Sequence, residues 1–254
     1  MMMNGSVSIR KHKNVLLPKI NLSNITYCGV DGRIKSKFIQ LMINQAEFAN
    51  NYIDFDKIII LTPKENHVNH EFIRFIDIPQ LHSINMYNQF ILGYLNNYIK
   101  SDYCLLFQWD GCISHPHLWT NDFLKYDYIG APWSQNIQEW LNKLIIEFQL
   151  DAETLFYVGN GGFSLRSKRL LKECQTLFNN NRYLKHSEDI LIGIVWRQFL
   201  INKGYKFADI STAKKFSIEY PIEPDHKYLS SFGFHHLNNL NKFISETKLI
   251  RARI

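Results

Sequence analysis

Four short stretches carry residue types that could do chemistry together. The first is Gln108-Trp109-Asp110-Gly111, directly after the apolar run Tyr103-Cys-Leu-Leu-Phe107. A carboxylate at such a strand end can hold a divalent cation, and that cation can neutralise a diphosphate leaving group. An aspartate opening an Asp-Gly turn is an equal alternative. The second stretch, Gly159-Asn160-Gly161-Gly162, permits positive φ and close backbone approach to a ligand. No Gly-Lys-Ser/Thr follows, so it is not a phosphate-binding P-loop, and a tight hairpin bend explains it by itself. The third, Ser187-Glu188-Asp189, puts two carboxylates at a helix start. Ordinary capping accounts for them; the functional alternative is a general base facing a cleft. The fourth is His235-His236, where a neutral imidazole would suit a metal held by Asp110.

These groups can meet only if several strand ends converge. Residues 25–30 and 57–61 read as buried strands. Between them a helix fits 36–52, with Phe38, Leu41, Met42, Phe48, Ala49 and Tyr52 on one stripe. This βαβ unit implies a parallel, right-handed crossover. A third strand fits 71–78, and Ser83 caps a helix running to 100. Residues 103–108 then read as a central parallel strand, and an aspartate just past its end falls where open α/β sheets place ligands. The pattern further predicts a short strand within 126–133, a helix over 136–150 and two short strands around the glycines in 156–166. A helix over 167–178 and another between Ser187 and Gly204 follow. The remainder reads as short strands and loops. With no repeat and no linker, the expectation is one α/β domain.

The 254 residues are 46% hydrophobic and 20% charged, a globular composition able to bury a core without disulfides. The net charge of +6 suits an anionic ligand, but the basic residues are dispersed, which disfavours nucleic acid as partner. Cys28, Cys104, Cys112 and Cys174 form no C-x-x-C pair and read as buried thiols of a reducing compartment. Residues 1–22 form a basic tail without the apolar segment of a signal peptide. The chain is therefore expected to be cytoplasmic and without a transmembrane segment. A solvated tail is the favoured reading, and peripheral contact with an anionic membrane the other.

Taken in order along the chain, these stretches resemble a family of GT-A-like glycosyltransferases known mostly from sequence as a domain of unassigned function. The resemblance rests on Gln108-Trp-Asp-Gly111, Tyr126-Asp-Tyr-Ile-Gly-Ala-Pro-Trp133, Val158-Gly-Asn-Gly-Gly-Phe-Ser-Leu-Arg-Ser167, Glu188-Asp-Ile190, Phe216-Ser-Ile-Glu219 and Phe232-Gly-Phe-His235. It implies a Rossmann-type mixed sheet flanked by helices in one domain over 23–254, with a nucleotide-binding half (23–112) and an acceptor-binding half (113–254). It also implies a nucleoside-diphosphate sugar as donor, a UDP-sugar foremost, with Mn²⁺ or Mg²⁺ as cofactor and a glycan or glycoconjugate hydroxyl as acceptor. Asp110 and His235 take the metal role and Gln108 lies with them, where the family's Asp-x-Asp motif has an aspartate. Asp31 lies near the nucleoside, and Gly161 and Gly162 near the donor sugar. Asp189, or secondarily Glu188, is the base of an inverting displacement, and Arg33 or Arg166 supplements the metal. Trp133, Trp140 and Tyr157 are candidates for stacking on an acceptor sugar. The alternatives are a non-catalytic nucleotide- or glycan-binding module, a degenerate transferase, and a sugar nucleotidyltransferase.

Overall fold

The computed structural model describes residues 18–133, 138–149, 158–180 and 186–247. Expectations for residues 1–17, for Tyr157 and for the side chain of Trp140 lie outside what is described.

Nine strands are present among the described residues: β1 (Ile20–Val30), β2 (Ile53–Thr62), β3 (Ile73–Asp77), β4 (Tyr103–Phe107), β5 (Gly111–Ile113), β6 (Tyr128–Gly130), β7 (Phe163–Ser167), β8 (Ser217–Ile218) and β9 (Gly233–His235). Six of them form a mixed sheet in the order β3-β2-β1-β4-β7-β6. The first four are parallel, and β7 runs antiparallel to both β4 and β6. The chain steps outward from β1 to β3 and then returns to place β4 on the other side of β1. The crevice outside the C-terminal ends of β1 and β4 is therefore a topological switch point, where such sheets bind ligands.

The central strands read as unbroken apolar runs because both faces of the sheet are covered. Tyr27, Ile58, Ile60, Leu105 and Phe107 face one core, together with Met42, Ile43 and Ala46. Their neighbours Cys28, Ile59, Leu61, Cys104 and Leu106 face the other, with Phe90, Ile91 and Leu171. Tyr27 stacks on Phe107 at 4.2 Å between centroids, and truncating such a buried ring to alanine costs about 3–5 kcal/mol. All four cysteines are free and buried.

The helices described are α1 (Ile39–Asn50), α2 (Ile84–Gly93), α3 (Leu95–Tyr98), α4 (Gln138–Phe148), α5 (Lys168–Asn180), α6 (Glu188–Ile190), α7 (Arg197–Asn202), α8 (Ile210–Phe216) and α9 (Leu237–Thr247). Ser83 caps α2 by accepting from the Met86 amide at 3.2 Å. Ser167 does the same for α5 with Leu170 at 3.1 Å. Three expectations are corrected. The helix from Ser83 is interrupted at Tyr94, whose φ of −129° leaves the helical region. β1 starts at Ile20, so residues 20–22, expected as tail, pair with β2 through Ile53, Asp54 and Phe55. The C-terminal region, expected as strands and loops, holds α8 and α9. Asp209 caps α8 through the Thr212 amide at 2.8 Å, and α9 buries Leu240 and Phe243 against Phe234.

Candidate active site

A second, three-stranded sheet in the order β5-β9-β8 assembles the site. β4 leads into the turn Gln108-Trp109-Asp110, closed by the Gly111 amide on the Gln108 carbonyl at 3.1 Å. Gly111 opens β5 and pairs with His235 on β9. β8 runs parallel to β9 with Ile218 opposite Phe234, which sets Glu219 beside His235. The last strand of the larger sheet to join is β7, with Phe163 opposite Phe107, so Gly162 falls next to the same turn. The Gln108 amide donates to the Gly162 carbonyl at 2.9 Å, and Gln45 Nε2 holds the Trp109 carbonyl at 2.9 Å.

His235 is the hub. Its Nε2 lies 3.2 Å from Gln108 Oε1 and 3.3 Å from Asp110 Oδ1. Its Nδ1 lies 3.4 Å from Glu219 Oε1 on the far side of the ring. Burial opposes a charge on this imidazole, but the Asp110 and Glu219 carboxylates outweigh it and hold His235 up at about 9. Burial likewise pushes the Asp110 carboxyl up, and the adjoining His235 more than offsets this, leaving it below its ordinary value. Glu219 belonged to a recognised motif but was not singled out from sequence. Its place beside His235 follows from the parallel pairing of two very short strands, which no local pattern announces.

Among the described residues, no three His, Cys, Asp or Glu side chains group as a metal-binding set. The donor set Asp110 Oδ1, Gln108 Oε1 and His235 Nε2 nevertheless fits Mn²⁺ or Mg²⁺ in kind, with two oxygens and one imidazole nitrogen. Both oxygens lie on the Nε2 side of the ring, at 3.2 and 3.3 Å. Asp110 Oδ1 is buried and has no aligned hydrogen-bond donor, as befits an atom aimed at a shared point. Glu219, on Nδ1, occupies the place of the carboxylate that orients a metal-bound histidine.

The glycine bend is built by close approach. Among the described glycines only Gly204 has positive φ, so the bend does not use the left-handed freedom that the sequence suggested. Instead, a Cβ on Gly162 would fall 2.2 Å from His235 Nε2, and one on Gly161 would fall 2.0 Å from Glu188 Oε1. The Gly161 carbonyl accepts from Ser164 Oγ at 3.0 Å and from Arg166 Nη2 at 3.4 Å. Its amide donates to Asp189 Oδ2 at 3.2 Å.

The adjacent acids Glu188 and Asp189 thus have different surroundings. Glu188 is buried and ion-paired with the fully buried Arg166 at 2.8 Å. Burial raises its carboxyl, against the pull of Arg166. This pair braces the bend from below, and it keeps Arg166 from serving a leaving group. Asp189 is half-buried at the start of α6. Ser187 was expected to cap that helix, but its hydroxyl donates to Asp189 Oδ1 at 2.5 Å, and the Ile190 amide donates to the same oxygen at 2.9 Å. Asp189 thereby faces the bend whose other flank touches His235. Trp133 is buried over Gly159, which makes it a packing residue.

At the switch point lies an open cleft of about 330 Å³, lined by Asp31, Arg33, Leu81, Tyr87, Gln108 and Trp109 among others. Asp31 follows β1 and is buried, and its carboxylate is heavily used. Oδ1 accepts from the Arg33 amide at 3.1 Å and from Arg33 Nε at 2.7 Å. Oδ2 accepts from Arg33 Nη2 at 2.9 Å and from Ser36 Oγ at 2.5 Å.

Sheet order, switch-point cleft and small sheet together are those of the GT-A glycosyltransferase fold. The chain is similar to a solved glycosyltransferase involved in glycosylation of the major capsid of PBCV-1 (TM-score 0.51, 10% identity, covering 89% of this chain and 99% of that one). It is also similar to the galactosyltransferase LgtC, solved in complex with donor and acceptor sugar analogues (TM-score 0.54, 14% identity, 92% and 98% covered). At these identities the likeness is one of fold. None of the curated proteins matches the chain in sequence. A family model described as "Protein of unknown function (DUF5672)" matches residues 70–235, and the chain belongs to that family. No helix among the described residues is long and apolar enough to cross a membrane.

Proposed function

We propose that the protein is a glycosyltransferase that moves a sugar from a nucleoside-diphosphate sugar to a hydroxyl of a glycan or glycoconjugate, with inversion. The observation that carries this reading is the meeting of Asp110 and His235 with Gln108, which itself lines the β1/β4 switch-point cleft. In this reading residues 23–112 supply the nucleotide pocket and 113–254 the acceptor side, with β8 and β9 completing the centre between them.

Asp110, His235 and the Gln108 amide oxygen would hold Mn²⁺ or Mg²⁺, which supplies charge neutralisation to a departing diphosphate. The chain's own residues do the rest. Gly161 and Gly162 lie near the donor sugar, the space of their missing side chains being taken up by Glu188 and His235. Asp189, fixed by Ser187 and by the Ile190 and Gly161 amides, accepts the proton of the acceptor hydroxyl. The freed oxygen bonds to the anomeric carbon as the bond from that carbon to the diphosphate oxygen breaks. The electron pair leaves with the nucleoside diphosphate. Glu188 keeps its partner Arg166 and stays structural.

A thermal-shift screen of nucleotide sugars, with and without Mn²⁺, tests the reading. Binding at ten times Kd raises stability by about 1.4 kcal/mol, a measurable upward shift. A screen in which no nucleoside diphosphate or nucleotide sugar stabilises the protein would sink it.

A further inference from the structure

The wall of the cleft formed by Asp31 and Arg33 is unusual in what it offers a ligand. Its carboxylate, Asp31, already accepts four hydrogen bonds from Arg33 and Ser36. What it presents instead is Arg33. The Nε and one N–H of Nη2 are committed to Asp31 as a fork. The guanidinium also lies 4.4 Å from the centroid of Phe38, whose ring packs 4.1 Å from that of Trp109. Held from two sides, the side chain is still 45% exposed. A guanidinium has five N–H groups, so the opposite edge, Nη1 with the outer N–H of Nη2, forms a second fork.

We propose that Arg33 selects the nucleobase of the donor and that it favours a base with two adjacent acceptors, guanine or cytosine, over adenine and over the uracil of the UDP-sugar that the resemblance implies. This rests on the transferase reading above. Guanine offers O6 and N7 to such a fork. Cytosine offers O2 and N3. In uracil a donor N–H separates the two carbonyl oxygens, and with Asp31 saturated that N–H finds no acceptor carboxylate here. In adenine an amino group flanks N7. The diphosphate belongs at the Gln108–Asp110 end of the cleft, and Phe38 separates Arg33 from Trp109, which leaves Arg33 for the base.

The test is calorimetric titration of the full chain with GDP, CDP, UDP, ADP and inorganic pyrophosphate at fixed Mn²⁺. GDP or CDP is expected to bind at least about tenfold more tightly than UDP and ADP, the discrimination one bidentate contact provides. Arg33→Lys keeps the charge and loses the fork, so it is expected to bring the four nucleotides to within about threefold of each other while pyrophosphate binding persists. Asp31→Asn, which loosens the fork without touching Arg33, is expected to move the preference the same way. A preference for UDP or ADP overturns the inference and leaves the transferase reading standing. So does a GDP or CDP preference that survives both substitutions, or a loss of pyrophosphate binding in Arg33→Lys equal to the loss of GDP binding. Failure of every nucleoside diphosphate to bind defeats the transferase reading and the inference with it.

Discussion

Gly162 lies flat against the imidazole of His235, so close that a single methyl group at position 162 would sit 2.2 Å from Nε2. The same glycine takes the Gln108 amide on its carbonyl. One backbone position therefore sets the distance between two proposed metal-holding side chains. Gly162→Ala is expected to push the ring off its place and cut Mn²⁺ affinity at least about tenfold, with an unchanged far-UV spectrum. Wild-type affinity in this variant would show that the contact constrains nothing.

Glu219 steadies the same ring from its other nitrogen. Removing an outer carboxylate behind a ligating histidine typically costs about 10–100-fold in metal affinity. Glu219→Ala is expected to show that loss by Mn²⁺ titration, and Glu219→Gln, which keeps an acceptor oxygen, to recover part of it. Equal affinities in all three proteins would remove Glu219 from the site.

His235 also makes the metal-free protein sensitive to pH. Its folded value of about 9 lies above the ordinary 6.5. The folded state therefore binds the proton more tightly than the unfolded chain. The resulting stability is complete below about pH 6.5 and is lost as pH rises through about 9, by up to roughly 3 kcal/mol. Urea unfolding across that window should show the decline in wild type, and His235→Gln should lack that part of it. Identical curves for the two proteins would contradict the assignment.

The neighbours Glu188 and Asp189 should separate by measurement. Glu188→Ala strands the buried Arg166 charge and is expected to destabilise the fold by about 3–5 kcal/mol. Asp189→Asn retains one oxygen, for the Ile190 amide and the Ser187 hydroxyl, and gives up only the longer acceptance from the Gly161 amide. It should fold normally and lose about 10²–10⁴-fold in transfer rate. Near-normal turnover in Asp189→Asn would remove it as the base.

Much of the scaffold is legible in the sequence because its signals are local. The doubly buried strands at Ile58–Leu61 and Cys104–Phe107 are continuous apolar runs, and Ser83 and Ser167 cap where their spacing says they should. Asp110 could be singled out because a strand end and a turn coincide. What escaped notice depends on partners far along the chain. Glu188 looks like an ordinary helix-start acid until Arg166 is placed under it, and Ser187 looks like a cap until its hydroxyl is seen turned to Asp189. Asp31 looks like a free carboxylate until Arg33 folds back on it. The helix α9 is anchored by Leu240 and Phe243 against Phe234, and its polar composition hides that narrow apolar edge.

The small sheet joins Gln108 to His235 across 127 residues of chain. A ribosome that has delivered β1 to β4 has delivered the switch-point crevice, yet the centre still lacks β8 and β9. The centre is consequently incomplete until β9 has emerged. A nascent chain that ends before β8 has neither Glu219 nor His235 and leaves Asp110 without its imidazole partner.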